Sequence, residues 1–215
     1  MKYSDFIFDM DGTLADTSPG VFEGVRRTLR QMGAPSLPEQ ELRRFIGPPL
    51  HLSFHEICGM DEAKAMEATL LFREYYKKEG VFNSTLYDGM ETLLRTLKAK
   101  GCRLMVATLK REAQAVSLVE HLGIADCFTA VVGSDDAEKR TKKDVIELAM
   151  ALSGIPGPDG VLMIGDSKFD AVGAEQAGVD FCAVTYGFGF TPATLNRYRH
   201  QAAIASPLEL LDAAK

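Results

Sequence analysis

Apolar residues recur along this chain with two different rhythms, and the change of rhythm divides it. A first apolar run, Phe6-Ile7-Phe8, leads straight into polar residues and reads as a buried strand. From there to about residue 85 the spacing is helical only. Thr17-Ser18-Pro19 has the form of a helix start with proline in the first turn. Val21, Phe22, Val25, Leu29 and Met32 follow at helical steps until Gly33 and Pro35 end the pattern. Pro38 opens a short helix with Leu42 and Phe45 inward, stopped by Gly47-Pro48-Pro49. Asp61 caps a long helix that runs to about Lys78 and stops at Gly80. So long a helical stretch exceeds what joins neighbouring strands in a compact sheet. Residues 15–85 are therefore expected to form an inserted helical domain.

Beyond residue 86 helix and strand alternate. A helix over 90–100 stops at Gly101, and a near-continuous apolar strand follows over 102–107. The next helix turns Ala115, Val116, Val119 and Leu122 inward and stops at Gly123. Short apolar strands over 130–132, 161–164 and 181–184 are separated by helices over 143–153 and up to Gly178. Buried strands alternating with helices predict an α/β fold with a doubly wound parallel sheet of the Rossmann-like kind. Its core comprises residues 1–14 and 86–215, with 15–85 inserted. Such sheets bind ligands beyond the carboxyl ends of their strands.

Composition narrows the partners. The 215 residues are 46% apolar and 25% charged, as in ordinary globular proteins. Lys and Arg number 24 against 30 Asp and Glu, a net charge of −6. That argues against nucleic acid or an anionic membrane surface as partner, but leaves a small anionic substrate open, because a local site can be positive. No apolar run approaches the roughly 18 residues of a membrane span, and the N-terminal residues lack a signal-peptide pattern. Cys58, Cys102, Cys127 and Cys182 are far apart and form no Cys-x-x-Cys. They read as buried reduced thiols of a cytoplasmic protein; a monomer or a homodimer is expected.

The chemistry gathers at predicted strand ends. Asp9-Met10-Asp11-Gly12-Thr13 closes the first strand. In an extended chain residues i and i+2 face one side, so Asp9 and Asp11 are expected together. Two such carboxylates repel and resist burial unless a cation or a proton relieves them. Gly12 permits a sharp turn, and a hydroxyl follows. Thr108 ends the second core strand, with Lys110 two residues on; Arg140-Thr141-Lys142-Lys143 precedes a helix; Gly165-Asp166-Ser167-Lys168-Phe169-Asp170 follows the strand over 161–164. Each alone has an ordinary structural reading as a cap or a solvated charge. Together they put several carboxylates, a hydroxyl and a lysine on one sheet edge, which suits Mg²⁺ and a phosphate group.

In these segments and their order the sequence resembles the haloacid dehalogenase superfamily of hydrolases, over essentially the whole chain. Within it, the stretch from Gly165 to Gly189, with Tyr186-Gly187-Phe188-Gly189, is most similar to phosphoglycolate phosphatase-type enzymes. The insert matches the position and length of the family's cap. The resemblance implies that Asp9 is the nucleophile, forming an aspartyl-phosphate, and that Asp11 is the general acid and base. It implies Mg²⁺ held by Asp9, the backbone carbonyl of Asp11 and Asp166, with Asp170 behind them. Gly12, Thr13, Thr108 and Lys142 would face the phosphate of a small phosphorylated substrate. Lys143 is the alternative to Lys142. Leu109 departs from the polar residue that relatives often carry there. Asp11 argues against dehalogenation, and Thr13 against a mutase. Lys64, Lys77 and Lys78 lie on a helix far along the chain from the first motif, which disfavours a Schiff-base lysine. In the insert, Arg44 (with Arg43) flanks the rigid corner Gly47-Pro48-Pro49, where it would meet a substrate carboxylate or second phosphate. His51 and His55 lack the Glu of a zinc motif and read as a partly buried or surface pair. The expected activity is a Mg²⁺-dependent phosphatase of a small metabolite. A 5′-nucleotidase or pyrophosphatase is the alternative within the superfamily. A phosphoacceptor module or non-catalytic binding protein is the alternative of another class.

Overall fold

The computed structural model describes residues 2–135 and 139–213. It divides into two compact units, one built from the chain up to Asp16 and from Leu86 onward, the other spanning Thr17–Thr85. The chain enters the first unit in β1 (Asp5–Phe8) and leaves it through β2 (Ala15–Asp16).

The second unit is helical. In α1 (Ser18–Gln31) proline occupies the first turn and Val21, Phe22, Val25 and Leu29 are buried. Two glycines of α1 let it pack closely within the unit. A Cβ on Gly20 would lie 2.0 Å from the Gly80 carbonyl, and one on Gly24 would lie 2.6 Å from the Phe72 ring. Then come α2 (Glu39–Arg43), α3 (Leu50–Cys58) and α4 (Glu62–Lys78). The Asp61 carboxylate accepts the Lys64 N–H at 2.9 Å, the predicted cap of α4. His51 and His55 share α3, with His55 Nδ1 2.6 Å from the Met60 carbonyl.

The chain returns through β3 (Thr85–Leu86) and alternates: α5 (Met90–Ala99), β4 (Arg103–Arg111), α6 (Glu112–His121), β5 (Ala130–Ser134), α7 (Lys142–Leu152), β6 (Val161–Gly165), α8 (Lys168–Ala177), β7 (Asp180–Val184), α9 (Pro192–Leu195), β8 (Ala202–Ile204) and α10 (Leu210–Ala213). Six strands form one sheet in the order β5-β4-β1-β6-β7-β8, and every pairing is parallel. Ile7, Met105, Val132 and Met163 point to one face, where they pack with Val145, Ile146, Ala171 and Ala174 of α7 and α8.

Three expectations change. Strand β4 does not stop at residue 107 but runs to Arg111, because β5 keeps pairing with it across a register shift, as far as Arg111 opposite Ser134. In α6, Val116 points outward at 37% exposure while Leu118 is buried, so the inward stripe is Ala115, Leu118 and Val119. The sheet also gains β8 beside β7; its Ala-Ala-Ile stretch is too short and weakly apolar to announce an edge strand. Among the described residues no helix is long and apolar enough to cross a membrane.

Candidate active site

Strand β1 has β4 on one side and β6 on the other. In open parallel sheets ligands bind beyond the carboxyl end of such a central strand. Asp9 is the last rung of the ladder, its N–H donating to the Ile164 carbonyl at 2.9 Å. The chain then coils around the Met10 carbonyl, which accepts the N–H groups of Thr13, Leu14 and Ala15 at 3.3, 3.0 and 3.2 Å. Gly12 stands in the left-handed region (φ 80°). A Cβ there would lie 2.3 Å from Asp166 Oδ2, so glycine is needed for both conformation and space. Thr13 is fully buried, and its hydroxyl has no hydrogen-bond partner among the described residues.

The two carboxylates of the first motif have different partners. Asp9 joins Asp166 and Asp170, and one ligand oxygen of each lies within 4.8 Å of the others. Asp11 turns to Lys110, whose Nζ is 2.9 Å from its Oδ1, with side chains only 7% and 13% exposed. Lys110 was visible in the sequence, but its partner was not, because the pair depends on β4 continuing past Thr108. Thr108 is buried, and its Oγ1 accepts the Lys110 N–H at 3.2 Å.

The choice between the adjacent lysines is resolved by the start of α7. Thr141 is its N-cap, with the Asp144 N–H on Thr141 Oγ1 at 3.3 Å. Lys142 then falls on the buried side, where its Nζ donates to Asp9 Oδ1 at 2.6 Å. The same Nζ lies 2.7 Å from Asp170 Oδ1, an ion pair that lacks hydrogen-bond alignment. Lys143 faces outward and pairs with Glu147 at 3.5 Å. Gly173 of α8 makes room for the Lys142 stem, since a Cβ there would lie 2.6 Å from Lys142 Cγ. Gly165 does the same for Asp170, whose Cγ would lie 2.3 Å from an added Cβ. Arg44 belongs to the second unit, where it meets Glu41 at 2.5 Å with its side chain 55% exposed.

Burial dominates the electrostatics. Asp9 is pushed up to about 6, first by burial; Lys142 pulls it down, and Asp170 and Asp11 push it up further. Asp166 is pushed up to about 8, again first by burial, then by Asp170 and Asp9. Burial alone would lower Lys142, but the facing carboxylates of Asp170 and Asp9 outweigh it and the net shift is upward. Three buried carboxylates with one lysine make an oxygen-only donor set that fits a hard divalent cation.

A pH dependence follows. A carboxyl group whose pKa rises on folding holds a proton that the unfolded chain releases, so its contribution to stability is complete below the unfolded value and lost as pH passes the folded one. The unfolded reference is 3.8, and the folded values are about 6 for Asp9 and about 8 for Asp166. In chelator, the melting temperature is expected to fall as pH rises across this window. A melting temperature that climbs steadily to pH 8 in a differential scanning calorimeter would contradict these assignments.

The sequence model of the haloacid dehalogenase-like hydrolase family matches residues 6–184. A 5′-nucleotidase of Pseudomonas aeruginosa is 35% identical over 190 residues, 88% of this chain and 86% of that protein. The tyrosine-protein kinase PtkA of Mycobacterium tuberculosis is 37% identical over 185 residues, 85% of this chain; the chain spans only 62% of that protein's length. A phosphoglycolate phosphatase of Cereibacter sphaeroides is 31% identical over 191 residues, 86% of this chain and 87% of that protein. Among solved structures, a haloacid dehalogenase-like hydrolase of Streptococcus pneumoniae superposes with a TM-score of 0.92 at 32% identity, covering 100% of this chain and 99% of that one. With the family match running from β1 to β7, the chain belongs to the haloacid dehalogenase-like hydrolases, in the branch that resembles phosphoglycolate phosphatases.

Proposed function

We propose that this protein is a Mg²⁺-dependent phosphatase of small phosphorylated metabolites, working through an aspartyl-phosphate on Asp9. The supporting observation is the buried cluster of Asp9, Asp166 and Asp170 with Lys142 at the carboxyl end of β1. Asp9, Asp166 and Asp170 would hold the cation, with the carbonyl of Asp11; the cation supplies charge compensation and polarises a phosphoryl oxygen. Lys142 fixes one oxygen of Asp9, leaving the other to attack phosphorus. The Thr108 hydroxyl, accepting from Lys110 N–H, keeps its own proton for a phosphoryl oxygen. Lys110 holds Asp11 in place, and Asp11, once it has taken up a proton, gives it to the departing alkoxide. It then takes one from the water that cleaves the acyl phosphate, returning Asp9 as a carboxylate.

The residues of the first unit address the phosphoryl group that all candidate substrates share. We assign discrimination among them to the second unit, acting as a cap, with Arg44 as the proposed contact to an anionic leaving group. A nucleoside monophosphate is the second substrate class, favoured by the 35% identity to a 5′-nucleotidase.

Phosphate release from an aryl phosphate, 2-phosphoglycolate, nucleoside monophosphates and pyrophosphate tests the reading. Sustained release of many equivalents with Mg²⁺, lost in EDTA and restored by Mg²⁺, is the expected result. Release that stops at one equivalent identifies a phosphoacceptor instead, and full turnover in excess EDTA rules out the metal.

A further inference from the structure

Each carboxylate of the cluster has at least one oxygen engaged, and Asp170 has both, because Lys142 Nζ lies 2.7 Å from its Oδ1 and leaves that oxygen one lone pair. Asp166 Oδ2 accepts two backbone N–H groups, from Phe188 at 2.6 Å and Gly189 at 3.0 Å. Asp170 Oδ2 accepts the N–H of Ser167 at 2.9 Å and its hydroxyl at 2.7 Å. Asp9 Oδ1 accepts Lys142 Nζ at 2.6 Å. A carboxylate oxygen has about two lone-pair positions, so Oδ2 of Asp166 and Oδ2 of Asp170 are saturated.

The segment that clamps Asp166 is itself fastened. The Tyr186 hydroxyl donates to the Thr13 carbonyl at 3.1 Å, and its ring packs 4.7 Å from that of Tyr87. Gly187 lies so close that a Cβ would sit 2.3 Å from the Gly12 carbonyl and 2.5 Å from Asp166 Oδ2. A Cβ on Gly189 would lie 2.7 Å from the Asp166 carbonyl. The first-motif turn, Asp166 and residues 186–189 are thus held in close contact by these side chain–backbone hydrogen bonds and the space that glycine leaves.

We propose that this clamping is a metal-selectivity device: residues 186–189 and Ser167 let Asp166 and Asp170 offer a cation one oxygen each, which excludes bidentate coordination. The proposal rests on the metal reading above. Mg²⁺ accepts single oxygens at octahedral positions, whereas Ca²⁺ takes six to eight oxygens and often uses carboxylates bidentately. The site therefore favours Mg²⁺ (or the similar Mn²⁺) and leaves Ca²⁺ short of ligands. Residues 186–189 and Ser167 act here as positioning residues through the two aspartates.

Calorimetric titration of the metal-free protein with Mg²⁺ and with Ca²⁺ reads the selectivity directly, without turnover. Gly187→Ala forces the segment off Asp166 Oδ2, and Ser167→Ala removes one donor from Asp170 Oδ2 while introducing no bulk. The ratio of Mg²⁺ to Ca²⁺ affinity is expected to fall roughly tenfold in Gly187→Ala, the equivalent of losing one charge-assisted hydrogen bond, and severalfold in Ser167→Ala. If Gly187→Ala does not fold, Tyr186→Phe, which loosens the same segment by deleting its hydroxyl, takes its place with a severalfold fall expected. Parent-like ratios in the folded variants overturn the proposal. A parent that binds no Mg²⁺, or binds it equally well as Asp166→Asn, overturns the metal reading instead.

Discussion

Asp9→Asn is expected to lower turnover by about 10⁴-fold or more, since removing a nucleophile leaves only binding and electrostatic effects. No phosphoenzyme should form. Asp11→Asn keeps the nucleophile and loses proton transfer, which contributes about 10²–10⁴-fold. With an aryl leaving group that needs no proton, it should still phosphorylate and then hydrolyse slowly. Rapid-quench measurement of acid-stable, hydroxylamine-labile phosphate separates the two variants. Stability makes a second readout. Burial raises Asp9 to about 6, so its ionised form costs the folded state free energy above that pH. At pH 8 in chelator Asp9→Asn should therefore melt no lower than the parent. Near-parental turnover in Asp9→Asn would sink the assignment of the nucleophile; a sharp loss of melting temperature would show that Asp9 is held in place for stability.

The second large effect belongs to Lys142. Its ammonium, 5% exposed, lies between Asp9 and Asp170 at 2.6 and 2.7 Å. Lys142→Met removes the shared cation and leaves two buried carboxylates facing each other. Removing one partner of a buried pair costs about 3–5 kcal/mol, roughly 10 °C of melting temperature in a chain of this size. Turnover should fall at least about 10²-fold, since the charge that neutralises the phosphoryl group is gone. Lys143→Met deletes only an exposed pair with Glu147, for which about 0.5 kcal/mol or less is expected. The two variants differ by one position along the chain. Equal effects in thermal melts and phosphate release would mean that the start of α7 does not determine which lysine enters the site.

The sequence by itself determined the local features. Apolar runs such as Phe6-Ile7-Phe8 and Val161-Leu162-Met163-Ile164 form buried parallel strands because no other short element hides every side chain. Thr141 with Asp144, and Ser167 with Asp170, stand at helix starts as hydroxyls followed by an acid three residues later. Asp9, Asp166, Asp170 and Lys142 were legible as a group because a doubly wound sheet delivers its strand ends and helix starts to one edge.

What the tertiary structure decided is the partner of each charge. Asp9 and Asp11, expected together, take different lysines, Asp9 pairing with Lys142 and Asp11 with Lys110. Period alone did not separate Val116 from Leu118, since both lie within a helical step of the buried Ala115 and Val119. The clamping of Asp166 by Phe188 and Gly189 uses backbone amides, which every residue but proline carries and no side-chain pattern encodes. Gly173 and Gly165 matter only because Lys142 and Asp170 pass over them. Apart from Gly165 with Asp170, these charge pairings and close contacts join segments far apart in the chain, and their geometry is fixed by packing of the whole sheet and its helices, which no local window of sequence contains.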